Sequence, residues 1–579
     1  MKKWLVRLKK YWFIAFFLIL VGWYFGPYWR GELPLTHDGE NHLARFAQYY
    51  LALKQGQLIP RVGPALDAGY GYPVFNFNYP LANILSLPLT VLHVSFEWEF
   101  KILTITFVTI GLLATIAWWR RLFASQQISY VALIAFLLAP YLWSAIWYRG
   151  NIGEIIMFCW LPVVALAIER VRTCERGSGA VLSLVLLVYF LAHNVMTLFA
   201  APVVIAYAWW RLHDREQTNI SLLKRFFDLF GKDKMALSFV WALLAVGMSL
   251  WFWLPALAEK SFTVLDAAGL SHEYEEHFAT WQQLLNPAIH GGFSYSGCVD
   301  GLSFGGGWIL LGVLVVSIYL LATRQERCFC QRRLAWVLTI GALVLVWLQT
   351  AASAWLWRFI PLAHFIQFPW RLGMLWQWLM ILQLANIQLS RKDGTRLWCG
   401  LIFLQIVTFA CARPVQFFSH DRDYYLTYPM TTSTARENRA QSFEWDITLS
   451  QEREPLIATG SGEIFGVERL ETTRKDYHVR CEDHCLVIEH TAYFPGFVTR
   501  ANGEKVAYSD DAQIAGRVAF WLPDGEYEII ERFGENTWAR VVGDMVSVGC
   551  VFAWTWLAWR EWTGRKTGIF GQKKLFPKR

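Results

Sequence analysis

The chain alternates between long apolar stretches and polar connections that carry most of its charge. A helix needs about 20 predominantly apolar residues to cross the hydrocarbon layer, and about twelve stretches have this character. They run over 11–29, 99–119, 129–147, 154–170, 179–193, 195–210, 236–257, 306–323, 334–352, 372–390, 396–413 and 541–558. The pattern predicts an α-helical polytopic membrane protein with about 12 transmembrane helices.

The composition agrees with this class. Of the 579 residues, 55% are hydrophobic, 17% are aromatic and only 17% are charged. The 32 tryptophans fit a membrane protein, because Trp and Tyr concentrate where lipid meets water. The formal net charge of +8 comes from basic connections between the spans. It therefore gives no reason to expect a nucleic-acid partner.

Lys and Arg are concentrated in every second connection, which indicates the orientation of the chain. The basic stretches are Lys2 to Lys10, Arg120-Arg121, Arg170 to Arg176, Arg211 to Lys234, Arg324 to Arg333, Arg391 to Arg396 and the tail after Arg560. Because basic loops stay in the cytoplasm, we expect both termini there and the large loops 30–98, 258–305 and 414–540 outside. No small-residue cleavage site follows the first span, which predicts a retained anchor instead of a signal peptide.

The region 414–540 differs in pattern from the spans around it. Apolar and polar residues alternate near Tyr477 and Leu486, and Asn502-Gly503 is a hairpin signal. We therefore expect a transmembrane domain over 1–413, a small external β-sandwich-like domain over 414–540, and a last helix with a basic tail over 541–579.

Cysteine usage fits this topology. Most of the ten cysteines lie in spans or on the cytoplasmic side, but Cys481 and Cys485 fall in the external region. An oxidising compartment allows these two to form a disulfide, which is the favoured interpretation. A zinc site using Cys481, His484 and Cys485, with His478 nearby, is the alternative.

A dense polar run, His37-Asp38-Gly39-Glu40-Asn41-His42, follows the first span. Asp38, Asn41, His42 and Arg45 recur at the spacing of one helix face, and apolar residues follow the opposite face. This predicts a helix at the membrane surface that presents several functional side chains. In the alternative interpretation, Asp38 caps the helix and the other side chains form a solvated face. The pair Asp38 and Glu40 has the chemistry of a base and of a metal or hydroxyl ligand.

The next stretch is rich in glycine, proline and aromatic residues, including Gly69-Tyr70-Gly71-Tyr72-Pro73, and predicts a folded external loop. Its aromatic side chains either anchor the loop in the interface or contact a lipid chain or a sugar. Residues 81–95 are apolar but short, and a span there would reverse the alternation of basic loops. We therefore expect a second surface helix.

These residues carry a resemblance to known membrane proteins. The acidic motif in the first external loop and the two juxtamembrane helices resemble the glycosyltransferases of the C superfamily (GT-C). Four motifs are more narrowly similar to bacterial membrane proteins labelled "6-pyruvoyl-tetrahydropterin synthase-related". They are His37-Asp38-Gly39-x-x-His42-x-x-Arg45, Gly69-Tyr70-Gly71-Tyr72-Pro73, Tyr148-Arg149-Gly150 with Glu154, and Gln367-Phe368-Pro369-Trp370-Arg371. Nothing in the sequence provides the soluble pterin-synthase fold that this label suggests.

The resemblance implies a location, a reaction and partners. The location is the bacterial inner membrane, and the reaction is hexosyl or pentosyl transfer from a polyprenyl-phosphate sugar donor to a glycan or lipid acceptor at the outer face. Asp38 is then the catalytic base or part of a divalent Mg or Mn site, Glu40 is a second acid, and His42 is a further catalytic candidate. Candidate substrate-binding residues are His37, Asn41, Arg45, Tyr72, Arg149, Glu154, His193, Gln367 and Arg371.

Several of these candidates have a plain structural alternative. Arg371 is either a guanidinium that binds phosphate oxygens or a snorkelling interfacial arginine. Arg149 and Glu154 flank a short external turn and are equally consistent with a structural salt bridge. The loop 258–305 is either a mobile lid over the acceptor or a flexible connection.

Two functions of different class follow from the sequence. One is the membrane-embedded glycosyltransferase implied by the resemblance. The other is a non-catalytic transporter or scaffold for lipid-linked envelope polysaccharide intermediates. A transporter is expected to carry ionisable groups near the middle of its spans. In this sequence the charges lie mostly at the ends of the spans, which favours chemistry at the membrane interface.

Overall fold

The computed structural model describes most of the chain. The described residues are 14–123, 130–213, 234–264, 273–294, 301–360, 363, 366–389, 391–433, 436–444, 454–510 and 514–563. The basic N-terminus, most of the predicted cytoplasmic connection 211–234, and the basic tail after 563 lie outside them, as does His272 of the predicted lid.

Helices occupy the apolar stretches that the sequence pattern predicts. Among the residues that the structure describes, six helices are long and apolar enough to cross a membrane: Phe96–Leu122, Tyr130–Arg149, Ile152–Arg172, Asn194–Leu212, Gly394–Cys411 and Trp538–Thr563. Two further candidates are bent pairs, Lys234–Met248 with Leu250–Ala258 at 63° and Arg332–Trp347 with Ala351–Trp357 at 94°. Shorter apolar helices are Ile14–Tyr24, Leu81–Val91, Ser178–Ala192 and Gly307–Ala322. A membrane-type helical fold is therefore present, while the number of spans stays a prediction.

The remaining helices are short or partly polar. They are Gly39–Lys54, Val74–Phe77, Trp281–Leu285, Gly373–Asn386 and Arg422–Leu426. The two external helices predicted after the first span coincide with Gly39–Lys54 and Leu81–Val91.

The residues group into two compact units, each built from three separate segments. The first unit contains Met1–Glu40, Glu97–Pro162 and His272–His420. In this unit Gly373–Asn386 packs on Arg332–Trp347, and Gly307–Ala322 packs on Arg391–Cys411. A short antiparallel pair joins strand β1 (Leu33–Pro34) to β2 (Phe417–Phe418).

The second unit contains Asn41–Phe96, Val163–Ser271 and Asp421–Arg579. Its strands are β3 (Leu456–Thr459), β4 (Gly462–Glu471), β5 (Arg474–Cys481), β6 (Cys485–Ala492), β7 (Phe497–Ala501), β8 (Glu504–Lys505), β9 (Arg517–Leu522) and β10 (Gly525–Phe533). One sheet has the order β4-β5-β10-β7-β8 and the other the order β3-β6-β9.

The two sheets share an apolar core, which is the arrangement of a β-sandwich. Tyr477 and Ile529 of the larger sheet pack in one buried cluster with Val487 and Phe520 of the smaller sheet. The predicted Asn502-Gly503 turn joins β7 to β8, and both residues have positive φ angles. Two such residues suit the turn of a tight hairpin.

The structure corrects the prediction for the helix Gly39–Lys54. We expected a polar face open to solvent or substrate, but His42 is 2% exposed and Arg45 is 7% exposed. Within the second unit, Arg45 donates to Thr432 and Gln48 donates to the carbonyl oxygens of Tyr425 and Leu426. The polar side of this helix is therefore buried against another part of the chain.

Candidate functional site

Asp38 is held against the turn between two helices of the first unit. The backbone N–H of Asp38 donates to the carbonyl oxygen of Arg149 at 2.8 Å, and that of His37 donates to Tyr148 at 3.0 Å. The Asp38 carboxylate accepts a 3.0 Å hydrogen bond from Nδ2 of Asn151. Both the backbone and the side chain of Asp38 are thus fixed relative to this turn.

A glycine allows this close approach. The helix that ends at Arg149 closes with a wide π turn over Ala145–Arg149, and Gly150 follows with φ of +59°. A Cβ atom at Gly150 would lie 2.1 Å from Oγ1 of Thr36 and 3.0 Å from the backbone nitrogen of Gly39. Any other residue here would push away the segment that carries Asp38.

Three groups surround Glu154, whose side chain is 0% exposed. Nη1 of Arg149 lies 2.6 Å from both of its carboxylate oxygens, and Nε of Arg371 donates to Oε1 at 2.9 Å. The hydroxyl of Tyr141 donates to Oε2 at 2.7 Å. The salt bridge that the sequence suggested for Arg149 and Glu154 is present, and Arg371 belongs to the same network.

Arg149 also connects this network to Asp38. Its Nη2 lies 3.8 Å from Oδ2 of Asp38, whose side chain is 35% exposed. The two carboxylates therefore differ in access, because Asp38 reaches solvent and Glu154 does not. A group that takes a proton from a substrate must touch it, so the geometry favours Asp38 over Glu154 as a base.

A narrow cleft lies beside this network. Its lining includes Arg149, Glu154, Phe304 and Trp370. The Trp370 ring lies under the Arg149 guanidinium at 4.7 Å and stacks on Phe304 at 5.1 Å. Nε1 of Trp370 donates to Oγ of Ser294 at 3.2 Å. The predicted lid region thus contributes side chains to this site, among them Ser294 and Phe304.

His37 lies next to Asp38 and stacks on Phe293, with the ring centroids 4.2 Å apart. Burial and the positive charge of Arg149 together lower the pKa of His37 to about 4. The imidazole is therefore neutral near pH 7. In this state it adds no positive charge to the site.

Glu40 and Asp38 were predicted as ligands if a metal binds. Glu40 lies 3.9 Å from Nε2 of His420 and its side chain is 31% exposed. Among the described residues, no group of three or more His, Cys, Asp or Glu side chains could hold a metal ion. The donor set present does not fit a metal centre built from three or more such ligands, so we derive no chemical step through a metal.

Other predicted site residues lie in the second unit. Oη of Tyr79 is 3.5 Å from Nε2 of His42, and the Tyr79 ring stacks on His193 at 4.6 Å. Nδ1 of His193 accepts from the backbone nitrogen of Met196 and caps the helix that begins at Asn194. His42 and His193 therefore both take part in contacts that stabilise the fold.

Four more candidates are either held by other parts of the chain or partly exposed. The Tyr72 hydroxyl is buried, lies 2.6 Å from Oγ of Ser433 and accepts from the backbone nitrogen of Asn438 at 3.1 Å. Asn41 and Gln367 are partly exposed. Arg45 is occupied by Thr432, as described above.

Two residues of the network, Asn151 and Tyr141, were not among the predicted site residues. The sequence offers a signal for Asn151, since it lies in the same short turn as Arg149 and Glu154. It offers no signal for Tyr141, because one more aromatic residue in an apolar span does not stand out.

The predicted cysteine pair forms a disulfide between Cys481 and Cys485. It joins the end of β5 to the start of β6, which belong to different sheets. The zinc alternative requires free thiolates at these positions, and the disulfide does not provide them.

Comparisons with known proteins found little at the sequence level. No family model matches the chain, and no curated protein matches it. Membership in the family named from the sequence motifs therefore stays a prediction.

Among solved structures, the chain is similar to ArnT from Cupriavidus metallidurans bound to undecaprenyl phosphate. The sequence identity is 15% and the TM-score is 0.40. The similarity covers 71% of this chain and 64% of that one. The chain thus spans less than two thirds of the length of the structure it matches.

Proposed function

We propose that this protein is a membrane-embedded glycosyltransferase of GT-C type. It transfers a sugar from a polyprenyl-phosphate donor to a hydroxyl group of an envelope glycan or lipid. The observation that carries the proposal is the partly exposed Asp38 carboxylate, which accepts a hydrogen bond from Asn151 and lies 3.8 Å from Arg149, a residue of the cleft lining. Arg371 shares the buried Glu154 with Arg149. The bacterial inner membrane and the outer-face location belong to the same proposal.

The reaction assigns a distinct task to each part of the site. The acceptor hydroxyl attacks the anomeric carbon of the donor sugar while Asp38 takes its proton as general base. The bond between this carbon and the phosphate oxygen breaks, and the lipid phosphate leaves with the electron pair. Arg149 and Arg371 stabilise the negative charge that develops on the departing phosphate.

Glu154 acts as a positioning residue in this scheme. It is fully buried and holds both guanidinium groups in place. The predicted catalytic roles of Glu40 and His42, and the requirement for a divalent metal, stay predictions.

The second candidate function is a non-catalytic transporter or scaffold for lipid-linked intermediates. Such a protein binds the lipid without breaking its sugar–phosphate bond and does not need a base in contact with the acceptor. The exposure of Asp38 next to the buried Glu154 favours the enzyme.

The proposal is tested by incubating the purified protein with a panel of polyprenyl-phosphate sugars and envelope acceptors, with and without Mg²⁺ or Mn²⁺. Product is measured by mass spectrometry. We expect the wild type to transfer one sugar, and Asp38→Asn to lower the rate by about 10²- to 10⁴-fold, the usual contribution of a general base. The amide keeps the hydrogen bond from Asn151, so the fold should persist.

Asp524→Asn serves as a matched control, because Asp524 is exposed in the connection between β9 and β10. Its transfer rate should equal that of the wild type. Full activity of Asp38→Asn would refute the proposed base. Binding of the lipid donors without transfer of any sugar would favour the scaffold or transporter.

A further inference from the structure

The charges of the proposed site cancel. Arg149 and Arg371 contribute two positive charges, and Asp38 and Glu154 contribute two negative charges, when all four groups are ionised. A lipid phosphate is an anion and gains most from a cation that no carboxylate neutralises. This raises the question of which nearby cation can supply that charge.

Arg413 has the required properties. It follows the helix Arg391–Cys411, and its guanidinium stacks on the Trp23 ring at 4.6 Å. Its Nη2 donates to the carbonyl oxygen of Trp23. The side chain is therefore held in one place and differs from an arginine that moves freely at the interface.

No carboxylate neutralises Arg413. Within the described part of the chain, Arg413 forms no salt bridge, and its buried Nε has no hydrogen-bond partner. Burial accordingly lowers the pKa of the Arg413 guanidinium. A partly buried cation without a counter-ion is costly, and an anionic ligand would offset that cost.

Arg413 is also connected to the proposed site. The hydroxyl of Tyr148 donates to the carbonyl oxygen of Ala412 at 2.6 Å. The backbone carbonyl of the same Tyr148 accepts from His37, the neighbour of Asp38. Tyr148 therefore contacts both Ala412, the residue before Arg413, and His37, the residue before Asp38.

The surroundings of Arg413 suit a lipid. The helix Ile14–Tyr24 ends beside it, and that helix leaves Leu18 and Ile19 64% and 71% exposed. The helix Arg391–Cys411 leaves Phe403 65% exposed. Each of the two helices therefore offers exposed apolar side chains against which a prenyl chain can pack.

We infer that Arg413, on the Trp23 platform, binds the phosphate group of the polyprenyl lipid. The inference rests on the proposed function, because it assigns a binding residue to the donor of that reaction. A structural arginine that only anchors the helix end to Trp23 is the competing explanation. Inorganic phosphate shares the same chemistry and must be distinguished from the lipid.

The test measures binding without catalysis. Purified protein in phosphatidylcholine nanodiscs is titrated with polyprenyl phosphate, with the uncharged polyprenol, and with inorganic phosphate. Arg413→Gln should weaken polyprenyl-phosphate binding by about 10- to 100-fold, which corresponds to the loss of a charge-assisted hydrogen bond. Polyprenol binding should not change, and Arg413→Lys should fall between the wild type and Arg413→Gln.

Arg30→Gln is the matched control. Arg30 also stacks on an aromatic ring of the first unit, Phe417, at 4.6 Å. This variant should bind polyprenyl phosphate like the wild type. Unchanged affinity of Arg413→Gln, an equal loss in Arg30→Gln, or an equal loss for polyprenol would overturn the inference. Inorganic phosphate binding as tightly as the lipid would overturn the lipid assignment.

If Arg413→Gln does not fold, chemical labelling of the wild-type protein tests the inference instead. Phenylglyoxal modifies accessible arginines, and mass spectrometry locates the modified residue. Polyprenyl phosphate should protect Arg413 while polyprenol does not, and absence of protection counts against the inference. The sugar-transfer assay is a separate measurement, so failure of the proposed function and failure of this inference are distinguishable.

Discussion

Two carboxylates that lie within 4 Å of the Arg149 guanidinium have opposite surroundings in this protein. Asp38 is partly open to solvent, whereas Glu154 is enclosed by Arg149, Arg371 and Tyr141. One is suited to meet a substrate and the other to hold the cations. A conservative substitution should therefore have different consequences at the two positions.

Glu154→Gln should lower stability. Removing one charged partner from a buried ion pair typically costs about 3–5 kcal/mol, since the remaining charge stays buried. Here Arg149 and Arg371 both lose the buried carboxylate that they share, and Arg149 keeps only the more distant Asp38. Equilibrium unfolding of the purified protein measures the change in the free energy of unfolding.

The matched variant is Glu275→Gln. Glu275 is 43% exposed and lies 3.6 Å from Arg358, which is 67% exposed. Exposed ion pairs contribute up to about 1 kcal/mol, so this change should be small. Equal stability losses in the two variants would contradict the role assigned to Glu154.

At this scale the sequence singles out individual residues, but it does not give their contacts. Asp38, Arg149, Glu154 and Arg371 stand out through the motifs that contain them, and their roles in a site stay a prediction. The contact partners of these residues cannot be predicted in the same way. Arg371 donates to Glu154, which lies 217 positions away in the chain, and no local periodicity encodes such a contact.

At the level of elements, the helix Gly39–Lys54 shows why an amphipathic pattern is ambiguous. Hydrophobic spacing correctly predicts the helix, but it does not tell whether the polar face meets water or another part of the protein. Here carbonyl oxygens and Thr432 satisfy the polar side chains. Buried polar groups need such partners, and these come from residues more than 370 positions away.

The β-sandwich contains a buried charge cluster that the sequence did not indicate. Nζ of Lys475 lies 2.8 Å from Glu531 and 2.9 Å from Glu489, and all three side chains are nearly inaccessible. One ammonium group can neutralise only one carboxylate. Burial raises the pKa of Glu531 from its ordinary value of 4.5 to about 7, and the neighbouring Glu489 adds to this rise.

This cluster predicts a pH-dependent stability of the β-sandwich. Between pH 4.5 and about 7, an unfolded Glu531 loses its proton while the folded one keeps it, so the folded state binds more protons. The free energy of unfolding should therefore decrease as the pH rises through this interval and level off above it. Hydrogen exchange of the β10 amides, corrected for intrinsic rates, measures the local opening free energy.

Glu531→Gln should remove this decrease, because glutamine carries no proton to lose. Glu526→Gln is the control in the same strand, since Glu526 is 62% exposed and pairs with Arg480 at the surface. It should keep the wild-type pH dependence. An unaltered slope in Glu531→Gln would show that another group titrates.

On the scale of the whole molecule, the apolar pattern predicted the helices well, but it does not encode how they group. Each compact unit draws on three separate segments, and composition changes along the chain cannot reveal segments that return to one another. The boundaries predicted at 413 and 540 follow composition, and they stay a prediction.

The predicted membrane orientation has a direct test. Cys174 is exposed and lies in a connection expected in the cytoplasm, whereas Asp524 is exposed in the domain expected outside. A membrane-impermeant maleimide applied to right-side-out vesicles should label Asp524→Cys and leave Cys174 unmodified until the membrane is permeabilised. Mass spectrometry identifies the labelled site.

The Cys174→Ser variant controls for reaction at other thiols. It should lose only the labelling that appears after permeabilisation. Labelling of both positions from the same side would contradict the orientation derived from the basic connections.

The pairing of Leu33–Pro34 with Phe417–Phe418 has a consequence for biosynthesis. A growing chain emerges from the ribosome with its N-terminus first. The strand that leads into Asp38 must therefore wait for its partner until almost all helices of the first unit have been synthesised. A nascent chain that stops before residue 416 can insert those helices, yet it lacks the strand that anchors Asp38. Assembly of the proposed site is accordingly among the last events in the maturation of this unit.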